Sequence, residues 1–173
     1  MKRFIIVLIL AINSLVGSAQ ITRNVWGLEL GKSTKQQVIN VLKQKGYVPD
    51  TNNPSNSVTI KVDNFKFGGG YWTYASFGFQ GGKLYEIWFQ NNQFENTVKN
   101  QDMFDLLKER LDSKYGQFRY NGLNSDESNL CYYDGKTYLW LSIRYFEGVQ
   151  YISITYTDKN LWEQKLNDDE DEL

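Results

Sequence analysis

The sequence predicts an α+β domain in which tandem helix–three-strand repeats form one antiparallel sheet with two helices packed on one face. Three observations predict it. Two stretches carry apolar residues at helical spacing, Val38, Val41 and Leu42 in one and Val98, Phe104, Leu107, Leu111 and Tyr115 in the other. Each is followed by strand-like runs parted by tight-turn dipeptides, Gly81-Gly82, Asp134-Gly135 and Glu147-Gly148. Landmarks also recur at one offset: Val38 to Phe104, Val41 to Leu107 and Gly82 to Gly148 are each 66 positions apart. An antiparallel sheet with one apolar face is buried economically by helices laid on that face.

Residues 1–19 read as a cleaved secretory signal peptide. Lys2 and Arg3 precede the unbroken apolar run Phe4 to Ile12, and Gly17-Ser18-Ala19 supplies small residues before Gln20. The run is shorter than the roughly 20 residues of a membrane-spanning helix. The protein is therefore expected in the periplasm or outside the cell, with no stable membrane insertion once the leader is gone. Residues 20–160 are expected as one α+β domain, with pseudo-repeats at about 27–92 and 93–157, and residues 161–173 as an acidic tail. The sole Asn-X-Ser/Thr position has Pro54 at X, which blocks glycosylation, and the leader has a bacterial style.

The first helix is expected at about 34–45. Ser33 with Gln36, or Thr34 with Gln37, supplies a capping box, and Gly46 a left-handed stop. Asp50 to Ser57 is polar and turn-rich and reads as a surface loop. Strands follow at Val58 to Phe67, Tyr71 to Gln80 and Lys83 to Gln90. The second helix is expected at about 97–114, with Asn96 as N-cap and Gly116 as its stop. Asn121 to Asn129 is a further loop. Strands then read at Leu130 to Tyr133, Thr137 to Phe146 and Val149 to Tyr156.

This order carries a resemblance. The run Leu28-Glu29-Leu30-Gly31-Lys32-Ser33-Thr34-Lys35-Gln36-Gln37-Val38 resembles the helix start of small exported bacterial domains. These are the outer-membrane-assembly lipoproteins of the SmpA/BamE type and the β-lactamase-inhibitor-protein-like domains. The resemblance implies a tandem α-β fold and noncatalytic binding of proteins through a sheet face or loops. The chain carries neither the lipidation Cys of the first family nor the disulfides of the second. Gly46-Tyr47 stands where Gly-Ser/Asp-Pro often closes the helix.

Composition removes several chemistries. The chain has no His, the common general base, nucleophile orienter and metal ligand. Cys131 is its single Cys, so no intrachain disulfide and no Cys/His zinc site can form, and it reads as a buried small hydrophobe. Gly27 and Gly31 enclose three residues where a phosphate-cradling loop needs four. Gly68-Gly69-Gly70 reads as a turn. Asp168 to Glu172 lacks calcium-loop spacing, and the terminal Asp171-Glu172-Leu173 lacks the basic residue of a retention signal. No cofactor or metal is expected. Without the leader the balance is 17 basic against 20 acidic residues, which offers no footprint for nucleic acid.

The aromatics stand out, at 16% of residues with 12 Tyr and 5 Trp. Strand alternation sorts them onto two faces. Phe77, Phe79, Tyr85, Ile87, Phe89, Leu139, Leu141, Ile143, Tyr145, Ile152, Ile154 and Tyr156 form an expected core face. Trp72, Tyr74, Glu86, Trp88, Tyr138, Trp140, Arg144 and Tyr151 form an expected partner-binding face, with Ser76, Ser142 and Ser153 between them. Large rings with polar tips suit a half-wet binding surface. The expected function is a noncatalytic exported module that engages an envelope or extracellular protein through that face. Glycan binding by the same face is the alternative, since sugar C–H faces stack on Trp and Tyr. A carboxylate-based hydrolase, drawing on Asp63, Glu86, Asp134 and Glu147, ranks third and requires two carboxylates facing across a cleft.

Overall fold

The computed structural model describes residues 20–52, 56–91, 97–122, 125–147 and 149–171. The expected leader, residues 1–19, Asn96 as N-cap, Gly148, Pro54 in its loop and the side chains of Asp63 and Val98 lie outside the described residues. The fold is α+β. A two-stranded ribbon, β1 (Asn24–Val25) and β2 (Leu28–Glu29), leads into α1 (Lys35–Gln44). Strands β3 (Ser57–Phe67), β4 (Gly70–Gln80) and β5 (Lys83–Asn91) follow, then α2 (Thr97–Tyr115) and a 3₁₀ turn. The short β6 (Arg119–Tyr120) precedes β7 (Asn129–Tyr133), β8 (Thr137–Phe146) and β9 (Val149–Asp158). The chain continues into α3 (Lys159–Asp171).

Seven strands form one antiparallel sheet in the order β3-β4-β5-β9-β8-β7-β6. Each repeat is thus a meander, and the last strands of the two repeats, β5 and β9, pair with each other. Val38 and Leu42 of α1, and Phe104, Leu107, Leu111 and Tyr115 of α2, join one core cluster with Phe77, Ile87, Phe89, Leu139, Leu141, Ile152 and Ile154. The two helices seal the face that the alternation marked as apolar.

Local chemistry explains the ends of α1. Thr34, the second of the two proposed caps, makes the capping box: Gln37 N–H donates to its hydroxyl at 3.4 Å, and the Gln37 side chain accepts from Thr34 N–H at 2.8 Å. Gly46 sits at φ +82°. Tyr47 N–H reaches back to the Leu42 carbonyl and Gly46 N–H to Lys43, each at 3.0 Å, which is a Schellman closure.

Four expectations need correction. The stretch expected as an acidic tail, 161–173, is helical over its described part: α3 spans Lys159–Asp171 and packs on β4, β5 and β9. Its N-cap is Asp158, whose carboxylate accepts from Leu161 N–H at 2.9 Å. Trp72 belongs to the core, fully buried, with its indole N–H donating to the Phe67 carbonyl at 2.9 Å. In β4 the buried residues change phase, from Gly70 and Trp72 to Ala75, Phe77 and Phe79, opposite a register shift between Lys61 and Phe65 of β3. Tyr85 sits at a second register shift, where Gly78 pairs Glu86 but Phe79 pairs Leu84. The extra residue puts its ring against Gly78, where a Cβ would lie 2.7 Å from it. Tyr145 keeps core parity but overhangs the sheet end and is 64% exposed.

The start of the folded body is tied to its end by Arg23. Its guanidinium donates to the Leu30 carbonyl at 2.9 Å, the Thr137 hydroxyl at 2.9 Å and the Lys136 carbonyl at 3.2 Å, and it pairs with Asp158. Gly31 is required beside this cluster: its φ is +80°, and a Cβ there would lie 2.9 Å from Asp158 Oδ2. Trp26 also takes a positive φ, 58°, in the β1–β2 turn, and its ring is held edge-on by Phe65 and Phe89 at 5.5 and 5.3 Å.

Replacing Asp158 by Ala removes both the α3 cap and the partner of a largely enclosed cation. The expected loss is about 3–5 kcal/mol of unfolding free energy, measured by urea denaturation. A loss below about 1 kcal/mol, the range of exposed pairs, would show that the cluster is peripheral to stability.

Candidate functional site

The registers build the site strand by strand. One cross-strand row on the face away from α1 and α2 runs Thr59, Ser76, Trp88, Thr155, Trp140, Cys131. The next runs Lys61, Tyr74, Gln90, Ser153, Ser142, Asn129. A third runs Ser57, Gly78, Glu86, Thr157, Tyr138, Tyr133. The central strand β9 therefore presents Ser153, Thr155 and Thr157, all small, with Gln90, Trp88 and Glu86 beside them on β5 and Ser142, Trp140 and Tyr138 on β8. The result is a trough along β9. Its walls stand two strand spacings apart, roughly 9.5 Å, and the stretch from Tyr151 to Thr157 is roughly 20 Å long. The open cavity it forms is about 840 Å³, within the size range of ligand sites.

Of the eight residues expected on this face, Glu86, Trp88, Tyr138, Trp140, Arg144 and Tyr151 line the trough. Tyr74 stands beside it and packs edge-on against Trp88, with ring centroids 5.6 Å apart. Trp72 is on the other side of the sheet, in the core. Ser142 and Ser153, expected between these residues, line it too, and Gln90, Asn129, Thr155, Thr157 and Trp162 complete the lining. Continuing the same alternation by one or two steps in β5 and β9 reaches Gln90, Thr155 and Thr157. Leu161, Trp162 and Lys165, spaced as one helical stripe, were the available signal for α3.

Helix α3 stands at one end. Trp162 packs edge-on against Tyr138 at 5.6 Å, and Tyr138 stacks on Tyr133 at 4.5 Å. Gln80 on β4 donates to Asp168, which fixes the far part of the helix to the sheet. Arg144 and Tyr151 pair across the other end, and Arg144 is exposed there.

The interior is poor in charge. Burial raises the Glu86 carboxyl above the usual carboxylate range, and the Lys165 cation on α3 opposes that in part. At the open end the Asp126 carboxyl is held low by hydrogen bonds from Ser128, with a contribution from Arg144. Ser142 donates to Asn129. Among the described residues, the indole N–H groups of Trp88 and Trp140 and the hydroxyls of Ser153 and Thr155 make no hydrogen bond to another residue. They are available to a ligand.

Cys131 is the buried hydrophobe that strand context suggests. Burial pushes its thiol up to about 12 against the opposing Arg119 charge, so the thiolate needed for nucleophilic chemistry is disfavoured. Of the other carboxylates considered for hydrolysis, Asp63 has its side chain outside the described residues, and Asp134 and Glu147 do not gather here. Asp134 accepts from the amides of Ile21, Lys136 and Thr137 in a turn, and Glu147 is exposed in the β8–β9 turn. Among the described lining residues Glu86 is the single carboxylate, and none of the others is a second acid to face it.

Comparison with protein-family models, curated proteins and solved structures yields no match for the chain.

The raised Glu86 pKa has a signed consequence. In the unfolded chain the carboxyl ionises near 4.5, before it does in the folded protein. Folding stability is therefore lost as pH rises from that value through the folded pKa. Glu86→Gln is expected to be more stable than the parent at pH 7, with the gap closing at pH 4. Thermal melts at the two pH values check it, and a gap independent of pH would contradict it.

Proposed function

We propose that the chain is an exported, noncatalytic binding module that holds an extended ligand in the trough along β9. The observation that carries this reading is the placement of Trp88 and Trp140 on either side of Thr155, with unused donors and acceptors between them. Indole walls supply contact area at low conformational cost, and polar groups between them fix orientation. The expected leader supports export, and the residues just after its expected cleavage point belong to the folded body: Ile21 is buried and bonded through its amide to Asp134. The tandem helix–three-strand order supports a fold kinship with the β-lactamase-inhibitor-protein-like and SmpA/BamE-like domains.

Two occupants suit such a trough. The Trp, Tyr and Arg composition matches the hot spots of protein interfaces and favours a segment of an envelope protein. The hydroxyl-lined floor favours a sugar chain. Both place binding on the same side chains.

The test is retention of envelope components on immobilised protein beside a Trp88→Ala/Trp140→Ala variant, after both show the same thermal unfolding. A component held by the parent and lost from the variant is the expected outcome. Equal retention would move the binding site off the trough.

A further inference from the structure

We infer that the ligand of the trough is a neutral glycan chain; this rests on the trough being the binding site. Four observations lead there. The strands that form the floor and walls, β5, β9 and β8, are interior to the sheet, each paired on both sides. Their main-chain groups are already engaged, so an extended peptide cannot add as a further strand, the mode by which peptides gain most affinity from sheets. The floor is hydroxylated: Thr155 lies between the two indoles, and Ser153 lies one row along, between Gln90 and Ser142. A protein interface of this depth needs an apolar centre instead, and an amphipathic helix needs an apolar groove.

Charge points the same way. Arg144 sits at the mouth, and the one lining carboxylate is enclosed beside Lys165 on α3. An anionic ligand would call for a cluster of Arg or Lys, which the lining lacks. What the lining offers is a set of neutral groups that both donate and accept, between two π faces. A sugar ring has that complement: hydroxyls around its edge and C–H faces that carry slight positive charge toward an indole face. The trough, roughly 20 Å long, admits several rings end to end, with Trp162 of α3 against the last one.

The experiment is isothermal titration of the chain lacking residues 1–19, which keeps every described residue, with neutral hexasaccharides of glucose (α- and β-linked), xylose, mannose and N-acetylglucosamine. At least one is expected to bind saturably. Trp140→Ala should weaken that binding by about tenfold or more, the loss typical of an aromatic anchor. Ser153→Ala/Thr155→Ala should weaken it about fivefold, as for lost neutral hydrogen bonds. Trp140→Tyr, which keeps a ring, should restore most of the affinity and guards against misfolding of the Ala variant. A second arm pans a display library of unstructured peptides on the same protein. Peptides that need Trp88 and Trp140, with no hexasaccharide bound, would overturn the glycan inference and leave the trough as the site. Binding of neither class would overturn both, and hexasaccharide binding indifferent to Trp88 and Trp140 would overturn the location.

Discussion

The pairing of β5 with β9 is the constraint on which the rest of the structure depends. Six residue pairs, from Glu86↔Thr157 to Asn91↔Ile152, join two meanders that each have a helix of their own. On one face the pairing aligns Ile87 with Tyr156 and Phe89 with Ile154, which makes the two apolar surfaces one core. On the other it aligns Trp88 with Thr155 and Gln90 with Ser153, which makes the trough. A slip of one residue would exchange the two sets and bury hydroxyls while exposing Ile and Phe. Core and site therefore have a single register in common, and neither can be altered without the other.

The Arg23 cluster gives that register its boundary. Asp158 ends β9, caps α3 and neutralises Arg23 at once. Its carboxylate is what turns the chain from strand to helix at a point where the helix lands over Glu86 and Tyr138. Gly31 N–H donates to Leu84 O and Leu84 N–H to Ser33 O, each at 2.8 Å, so the same segment also holds the start of β5. Both strands of the central pair are thus fixed at the end where α3 crosses, and the trough is left open at the end of Arg144 and Tyr151.

Periodicity made the two helices, the long strands and the helix-covered face legible, because each depends on side chains that follow a period of 3.6 or 2. It failed where the period breaks. Trp72 was assigned by parity to the binding face, but the burial phase of β4 changes between Trp72 and Ala75. Tyr85 was assigned to the core, but the bulge there sets it and Glu86 on the same side. Both departures are register shifts, which arise from pairing with another strand and leave no mark in a strand's own alternation. The missed α3 has a different cause. Its acidic end masked a stripe of Leu161, Trp162 and Lys165, and its cap, Asp158, was hidden in the last position of a strand. Trp26 was missed because only the surrounding rings of Phe65, Phe67 and Phe89 hold so bulky a residue at positive φ.

Strand β9 shows how one segment meets two demands. Its core side carries Ile152, Ile154 and Tyr156, and its other side Ser153, Thr155 and Thr157. Threonine suits this position for two reasons: its branched Cβ favours the extended backbone, and its side chain is short enough to leave space between Trp88 and Trp140. A Leu or Tyr at 155 would satisfy the strand equally well and fill the trough. The shortness of Ser153, Thr155 and Thr157 along the middle of the sheet, with Trp88 and Trp140 flanking Thr155, is not required by the core. Packing on the opposite face is complete without them. A sheet selected for stability alone has no reason to keep that cleft, and among the described residues the Ser153 and Thr155 hydroxyls on its floor have no hydrogen-bond partner.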